Sequence, residues 1–353
     1  MSSIDATARK ARGITSTMSW LGIDIGGANL KASDGCRYAQ SVPFSLWKEP
    51  ENLTRELRRL IAEASASDQL AVTMTGELAD CFQSKTEGVR FILKAIIQAA
   101  GDRETFVYLT DGRSVSPQMA MSTPELAAAS NWHALARFAG RYAPDGAALL
   151  MDVGSTTCDI IPLLDGQPAA VGRNDTERML AGELVYTGVE RTPLCAVANQ
   201  VPYRGQWCPI AREFFATMRD VYVVLGELPE RPKDTDTADG RPATKNASCA
   251  RLGRMVCADP EQFDQTDGLV VGQSFADAQV SDVRAAVRQV MDRMPSLPQT
   301  VILSGHGEFV ARRVLSKSGL QTQVVSLTEH LGPDMSRAAT AYALAALARE
   351  VIE

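Results

Sequence analysis

The sequence predicts an α/β protein of two related domains facing each other across a cleft. Three observations predict it. The chain has 353 residues, enough for two domains. Short apolar runs of strand length alternate with segments of helical spacing in both halves. One layout also occurs twice: an apolar run, an Asp and a tight turn of Gly with small polar residues. The first copy is Gly22-Ile23-Asp24-Ile25-Gly26-Gly27-Ala28-Asn29. The second is Met151-Asp152-Val153-Gly154-Ser155-Thr156-Thr157-Cys158-Asp159. Glycine lets the backbone turn sharply and approach a ligand. The bare N–H groups of such a turn form a nest for phosphate oxygens. An Asp at the strand end can hold a divalent cation, often through water. One copy closes many ordinary hairpins. Two copies, more than a hundred residues apart, indicate a duplicated fold clamping one phosphorylated ligand between its halves.

In order along the chain, residues 20–25 read as a strand and 30–33 as its hairpin partner. Leu53, Leu57, Leu60 and Ile61 give helical spacing over 52–66. Residues 69–74 form a buried strand that delivers Thr75-Gly76-Glu77. A helix follows over 86–101 and a strand over 106–109, closed by the Asp111-Gly112 turn. Pro124 opens a helix over 123–141, with Leu126, Trp132, Leu135 and Phe138 as its apolar stripe. Pro144-Asp145-Gly146 marks a domain junction. Residues 147–153 and 159–164 form the second hairpin, and Asp165-Gly166 closes the next. Residues 182–268 do not follow the repeat. They hold a helix over 211–225 and a polar tract, 229–245, read as a mobile loop. Then come a helix over 282–294, a strand over 300–303 ending in Ser304-Gly305-His306-Gly307-Glu308, a helix over 309–315, a strand at 324–325 and an Ala-rich helix over 336–352. The expected domains are 18–145 with 336–353, and 146–335 carrying the insertion. Residues 1–17 are polar, lack the apolar core of a secretory signal and read as a disordered leader.

Hydrophobic content of 45% and charged content of 22% are ordinary for a globular chain. A net charge of −6 argues against a general nucleic-acid binder. No apolar stretch approaches the roughly 20 residues of a membrane span. Seven scattered cysteines without Cys-x-x-Cys spacing read as reduced thiols of a cytoplasmic protein. A zinc site from Cys195, Cys208, Cys249 and Cys257 fits no common finger spacing.

The paired turns resemble the superfamily of acetate and sugar kinases, heat-shock chaperones and actin. Within it, the second turn, Gly182-Glu183-Leu184-Val185-Tyr186-Thr187-Gly188-Val189 and Arg191-Thr192-Pro193 resemble the hydantoinase/oxoprolinase-related group. Further stretches resemble a family of that group linked to tetrahydromethanopterin-dependent one-carbon metabolism. They are Val72 to Leu78, Phe214-Phe215-Ala216-Thr217, Asp220-Val221-Tyr222, Asp236-Thr237-Ala238-Asp239-Gly240-Arg241 and Arg254 to Asp259. The resemblance covers the chain from about Met18 onward. It implies two ribonuclease H-like domains of the actin-like ATPase kind, with the C-terminal helix returning to the first. It implies an activity too, since archaeal members of that family join a furanylmethyl diphosphate to the phenol of γ-glutamyltyramine in methanofuran biosynthesis.

Asp24 and Asp152 are the leading candidates for catalysis and for a Mg²⁺ or similar cation, against turn-capping roles. Gly26, Gly27, Gly154, Ser155, Thr156 and Thr157 are candidates to wrap phosphate. Lys31 is a point charge for an anion or a solvated lysine. Asn29 is a ligand or a turn residue tolerating positive φ. Glu77, at the end of a buried strand, is a general base or a helix-start carboxylate. Glu183 and Arg191 are substrate-binding candidates, Arg191 for a carboxylate or diphosphate. Asp236, Asp239 and Arg241 would sit on a lid or be solvated loop charge. His133, His306 and His330, the only histidines, give no metal or triad spacing. His306 stands where the superfamily holds adenosine. Ser304 replaces the first glycine of the usual adenosine motif, which suits a non-nucleotide diphosphate.

The leading reading is therefore a transferase with a diphosphate leaving group, Mg²⁺ on Asp24 or Asp152 and Glu77 helping to deprotonate a phenol. ATP use stays open. The alternatives are an ATP-dependent hydrolase of hydantoinase/oxoprolinase type or a small-molecule kinase, and a non-catalytic nucleotide-binding module. The expected partner is a small-molecule diphosphate or nucleotide, without nucleic acid or membrane, and a homodimer is admitted.

Overall fold

The computed structural model describes residues 19–64 and 67–350. The expected leader lies outside them, as do the last residues of the expected C-terminal helix. Strands β1 (Trp20–Ile25), β2 (Asn29–Ser33), β3 (Ala39–Pro43), β4 (Gln69–Met74), β5 (Glu104–Tyr108) and β6 (Ser114–Val115) form one sheet in the order β3-β2-β1-β4-β5-β6. β1 runs antiparallel to β2 and parallel to β4.

The second sheet repeats this plan. β7 (Ala147–Val153) pairs antiparallel with β8 (Cys158–Leu164), which carries β9 (Gln167–Pro168) and β10 (Leu184–Val185). β11 (Gln200–Tyr203) and β12 (Gln206–Pro209) form a separate ribbon. β13 (Thr300–Ser304) then pairs parallel with β7, and β14 (Gln323–Ser326) with β13. In each sheet a central strand, apolar except for one Asp, has a hairpin partner on one side and a parallel strand on the other. Strands buried on both faces read as continuous apolar runs, which is why β1, β4 and β7 are legible in the sequence.

The first core packs β1, β2 and β4 against the helices Leu53–Glu63 and Lys85–Ala100 through Leu57, Ile61, Ile92 and Ile96. The second packs β7, β8 and β13 against Met218–Leu225, Gln265–Met291 and Glu308–Ser318. A third apolar cluster lies between the sheets. It joins Trp20, Leu150, Ile161 and Ile302 to Trp132 and Leu135 of the helix Asn131–Ala139 and to Leu344 and Leu347 of Ala339–Glu350. The C-terminal helix thus returns to the first sheet. It crosses β1 so closely that a Cβ at Gly22 would stand 2.0 Å from the Ala341 carbonyl oxygen.

Several expected elements differ. The helix predicted over 123–141 is two, Pro124–Ala127 and Asn131–Ala139. Ala129 takes φ +47°, and buried Ser130 donates to the Tyr108 carbonyl at 2.8 Å and meets Thr73 Oγ1 at 2.6 Å. The helix over 211–225 shrinks to Met218–Leu225, capped by Thr217 and Asp220. Residues before it bond outside the segment: the Ala211 amide donates to Met255 and the Leu194 amide to Ala216. The helix over 282–294 is the back half of Gln265–Met291, which starts at an Asp264–Asp267 capping box. The tract 229–245 is not a loose loop. Arg231 and Ala243 bridge its ends, Arg219 pairs with Asp234, and buried Arg251 holds Asp239 at 2.9 Å. The helix over 336–352 divides into Pro333–Arg337 and Ala339–Glu350.

Candidate functional site

The carboxyl ends of β1 and β7 meet at a cleft between the sheets, the usual ligand position of open α/β folds. The two turns are built alike. The Gly26 amide donates to the Asn29 carbonyl at 3.0 Å, and the Gly154 amide to the Thr157 carbonyl at 2.9 Å.

The cleft has two chambers. The larger, about 980 Å³, is lined by Ala28, Asn29, Lys31, Asp152, Gly154 and Ser155, with Arg191, Asp236, His306 and Arg337. The smaller, about 300 Å³, is lined by Gly27, Ala28, Thr75, Glu77, Thr156 and Thr157, with Asp159, Asp175 and Arg178. Ala28, Trp47 and Arg191 line both. The Arg191 guanidinium lies 4.3 Å from the Trp47 ring centroid, so a second-domain cation stacks on a first-domain indole at the junction. Trp47 is held there because the Leu46 and Phe44 amides donate to Gly27 and Ala28 of the first turn.

Asp24 is 3% exposed. Lys31 reaches its Oδ2 at 3.4 Å, and its Oδ1 is buried without a partner. Lys31 occupies the facing position on β2. The facing position on β8 is held by Asp159, opposite Asp152. Burial pushes the Asp152 carboxyl up to about 6, and Asp159 and Asp24 add to the rise while Lys31 opposes it. Burial also raises Asp159, against the pull of Arg178, which grips it at 2.5 Å and stacks on Trp132.

Glu77 is 1% exposed on the wall of the smaller chamber, and its Oε2 has no partner. Burial pushes it up to about 7. Asp175 adds to this, and Lys85 opposes it. A carboxyl that changes charge near neutrality suits proton transfer. His306 lines the larger chamber with its Nε2 unpartnered, 3.6 Å from Glu190. Burial holds it neutral, with its pKa lowered to about 4.

The structure brings most of the sequence candidates together, and sets others apart. Gly26 shapes its turn from behind the walls. Glu183 lines neither chamber, because its two oxygens accept from the Val171 and Gly172 amides at 2.8 and 3.0 Å. Asp239 is turned inward to Arg251, and Arg241 lies beside it outside the cleft. Asp236 does reach the larger chamber, 75% exposed, where it pairs with Lys48 at 3.5 Å. Sequence reasoning missed Trp47, Asp159, Arg178, Glu190 and Arg337. Asp159 had a signal: it follows Asp152 by seven residues, as Lys31 follows Asp24.

Among the described residues, no three His, Cys, Asp or Glu side chains converge as a metal centre, Cys195, Cys208, Cys249 and Cys257 included. The donors present fit a hard divalent cation. The crowded Asp152 carboxyl lies on the wall of the larger chamber, while Asp24 lines neither chamber and keeps a buried orphan oxygen beside the one paired with Lys31. Mg²⁺ takes one or two carboxylates, keeps several waters and fills its shell from substrate phosphates.

Two hairpin-led sheets with a cleft between them define a two-domain α/β protein. The chain belongs to the hydantoinase/oxoprolinase family, which matches residues 68–351. It is 31% identical over 338 residues to the (4-{4-[2-(gamma-L-glutamylamino)ethyl]phenoxymethyl}furan-2-yl)methanamine synthase of Methanocaldococcus jannaschii, covering 94% of this chain and 98% of the relative. A protein of the same name from Methanococcus vannielii is 29% identical over 205 residues, 58% of this chain and 91% of that one. Among solved structures, a nucleotide-free acetone carboxylase aligns with a TM-score of 0.50 at 12% identity, over 93% of this chain and 70% of that one. At that identity the likeness shows the fold alone. No helix among the described residues is long and apolar enough to cross a membrane.

Proposed function

We propose that this protein is a transferase of methanofuran-type cofactor biosynthesis, in tetrahydromethanopterin-linked one-carbon metabolism. It joins a furanylmethyl diphosphate to a tyramine-type phenol and releases diphosphate. One observation carries the reading: two aspartate-led turns open onto one cleft with Lys31, Arg191 and Arg337 on its walls. The name of the relative that matches 94% of the chain supplies the furan and phenoxy parts of the product.

The diphosphate lies in the larger chamber, against the amides of both turns and the hydroxyl of Ser155. Lys31 and Arg191 neutralise charge that grows on the leaving oxygen, which lowers the barrier to C–O cleavage. Asp24 and Asp152 would hold Mg²⁺, which supplies further neutralisation of that diphosphate. The phenol approaches from the smaller chamber. A free phenol, with a pKa of about 10, is a poor nucleophile at neutral pH. Glu77, when ionised, takes its proton. The carbon–oxygen bond to diphosphate breaks with both electrons leaving on oxygen, and the aryl ether bond forms. Arg191 on Trp47 marks where the chambers, and so the reactants, meet.

Calorimetry with pyrophosphate, an alkyl diphosphate and ATP, each with Mg²⁺, tests this. Tight diphosphate binding without ATP heat is expected. ATP binding with no diphosphate heat overturns it in favour of the ATP-dependent hydrolase or kinase, which the family membership keeps as the second reading. Nucleotide in hundredfold excess over its Kd would then stabilise the fold by about 2.7 kcal/mol.

A further inference from the structure

We infer that the ion pair between Lys85 and Asp175 is a positioning device that sets the proton affinity of Glu77 from across the cleft. The inference rests on the proposed role of Glu77 as base.

The geometry is specific. Lys85 opens the first-domain helix Lys85–Ala100, and Asp175 opens the second-domain helix Asp175–Leu180. Lys85 Nζ meets Asp175 Oδ2 at 2.6 Å, so the contact spans the two halves. Its acidic member lines the same small chamber as Glu77. The basic member is tied to Glu77 from behind. Gly88, one turn into its helix, packs on the Glu77 backbone so tightly that a Cβ there would lie 2.3 Å from the Glu77 carbonyl oxygen. Lys85 and Glu77 therefore move as one body, and Asp175 arrives with the other domain.

The charged groups around Glu77 have different duties. Asp159 and Arg178 are locked to each other on the far wall, Arg191 is stacked on Trp47, and Asp80 is exposed at the rim. The unpartnered Glu77 Oε2 has no hydrogen bond to steady its charge. Burial raises its pKa most and backbone hydrogen bonds at Glu77 and Ala129 lower it; among charged side chains, Asp175 raises it and Lys85 lowers it. The pair therefore adjusts, in opposite senses, a carboxyl that burial has already brought near neutrality, where it is ionised enough to accept a proton and basic enough to hold it.

The test is a carboxyl ¹³C titration of Glu-labelled protein, with the Glu77 resonance assigned from Glu77→Gln. Asp175→Asn should move the Glu77 midpoint down, Lys85→Met should move it up, and the double variant should return it toward the wild type. The acid limb of the pH–rate profile for diphosphate release should follow in the same directions. A purely structural pair would lower activity and melting temperature in both single variants without opposed shifts, and that result overturns the inference. So does a midpoint that moves the same way in both. Opposed NMR shifts in a protein that forms no ether would uphold the coupling and sink the transferase reading instead, so the two failures stay distinct.

Discussion

The two hairpins share a plan and differ in the residue opposite the aspartate. In the first, Asp24 faces Lys31 across the strand pair. In the second, Asp152 faces Asp159. The first half therefore presents Lys31 to the cleft, with the buried Asp24 paired behind it. The second presents two crowded carboxyls, one of them balanced by Arg178 from outside the hairpin. The same fold copied twice thus yields an anion-facing wall and a cation-facing wall. A single cross-strand position decides which is which.

Four changes break or sharpen that contrast. Asp159→Asn strands the buried Arg178 guanidinium, so it should destabilise the fold by about 3–5 kcal/mol in denaturant titrations. If stability is unchanged, the second wall does not need its balancing charge. Asp24→Asn and Asp152→Asn should each cut kcat for diphosphate release by about a hundred- to a thousandfold, because each would weaken the hold on the Mg²⁺ that neutralises the leaving group. A loss confined to one of them would show that the halves do not share one ligand.

Glu77→Gln should cost about a hundredfold in rate at pH 8 and abolish the acid limb, since a base must be ionised to accept a proton and wild-type activity falls as pH drops through about 7. Its stability should move the other way. The folded carboxyl binds its proton more tightly than the unfolded one. Ionising it therefore costs stability as pH rises from the ordinary carboxylate range to about 7. The Gln variant, free of that cost, should be more stable than wild type at pH 8 by up to about 3 kcal/mol. Equal melting temperatures at pH 8 would contradict this. The smallest effect is expected at Lys31. Lys31→Met should weaken pyrophosphate binding by about tenfold in calorimetry, the scale of one charged hydrogen bond, and should lower the melting temperature, because it leaves the buried Asp24 carboxylate without its partner.

The candidate site was legible where chemistry and backbone geometry coincide. Asp24, Asp152 and their glycines announce themselves because a strand end, a carboxylate and a tight turn must be adjacent in sequence. Glu77 was legible for the same reason. Glu183 and Asp239 lie in stretches that resemble the family, yet the structure turns both away from the chambers, since buried amides and Arg251 claim their oxygens. Trp47 and Arg337 carried no local signal. They reach the cleft through loop hydrogen bonds and helix packing between distant segments.

Read alone, the chain determined its class of fold, its duplicated turns and most of its strands, because apolar periodicity and turn chemistry act over a few residues. Tertiary structure alone decided the rest. It split the helix at Ala129, pinned the polar tract to Arg251 and Arg219, divided the cleft at Arg191 and Trp47, and placed Asp175 beside Glu77. Burial, and the long-range field of charges brought together from both halves, made two carboxyls of ordinary sequence context into groups that titrate near neutrality.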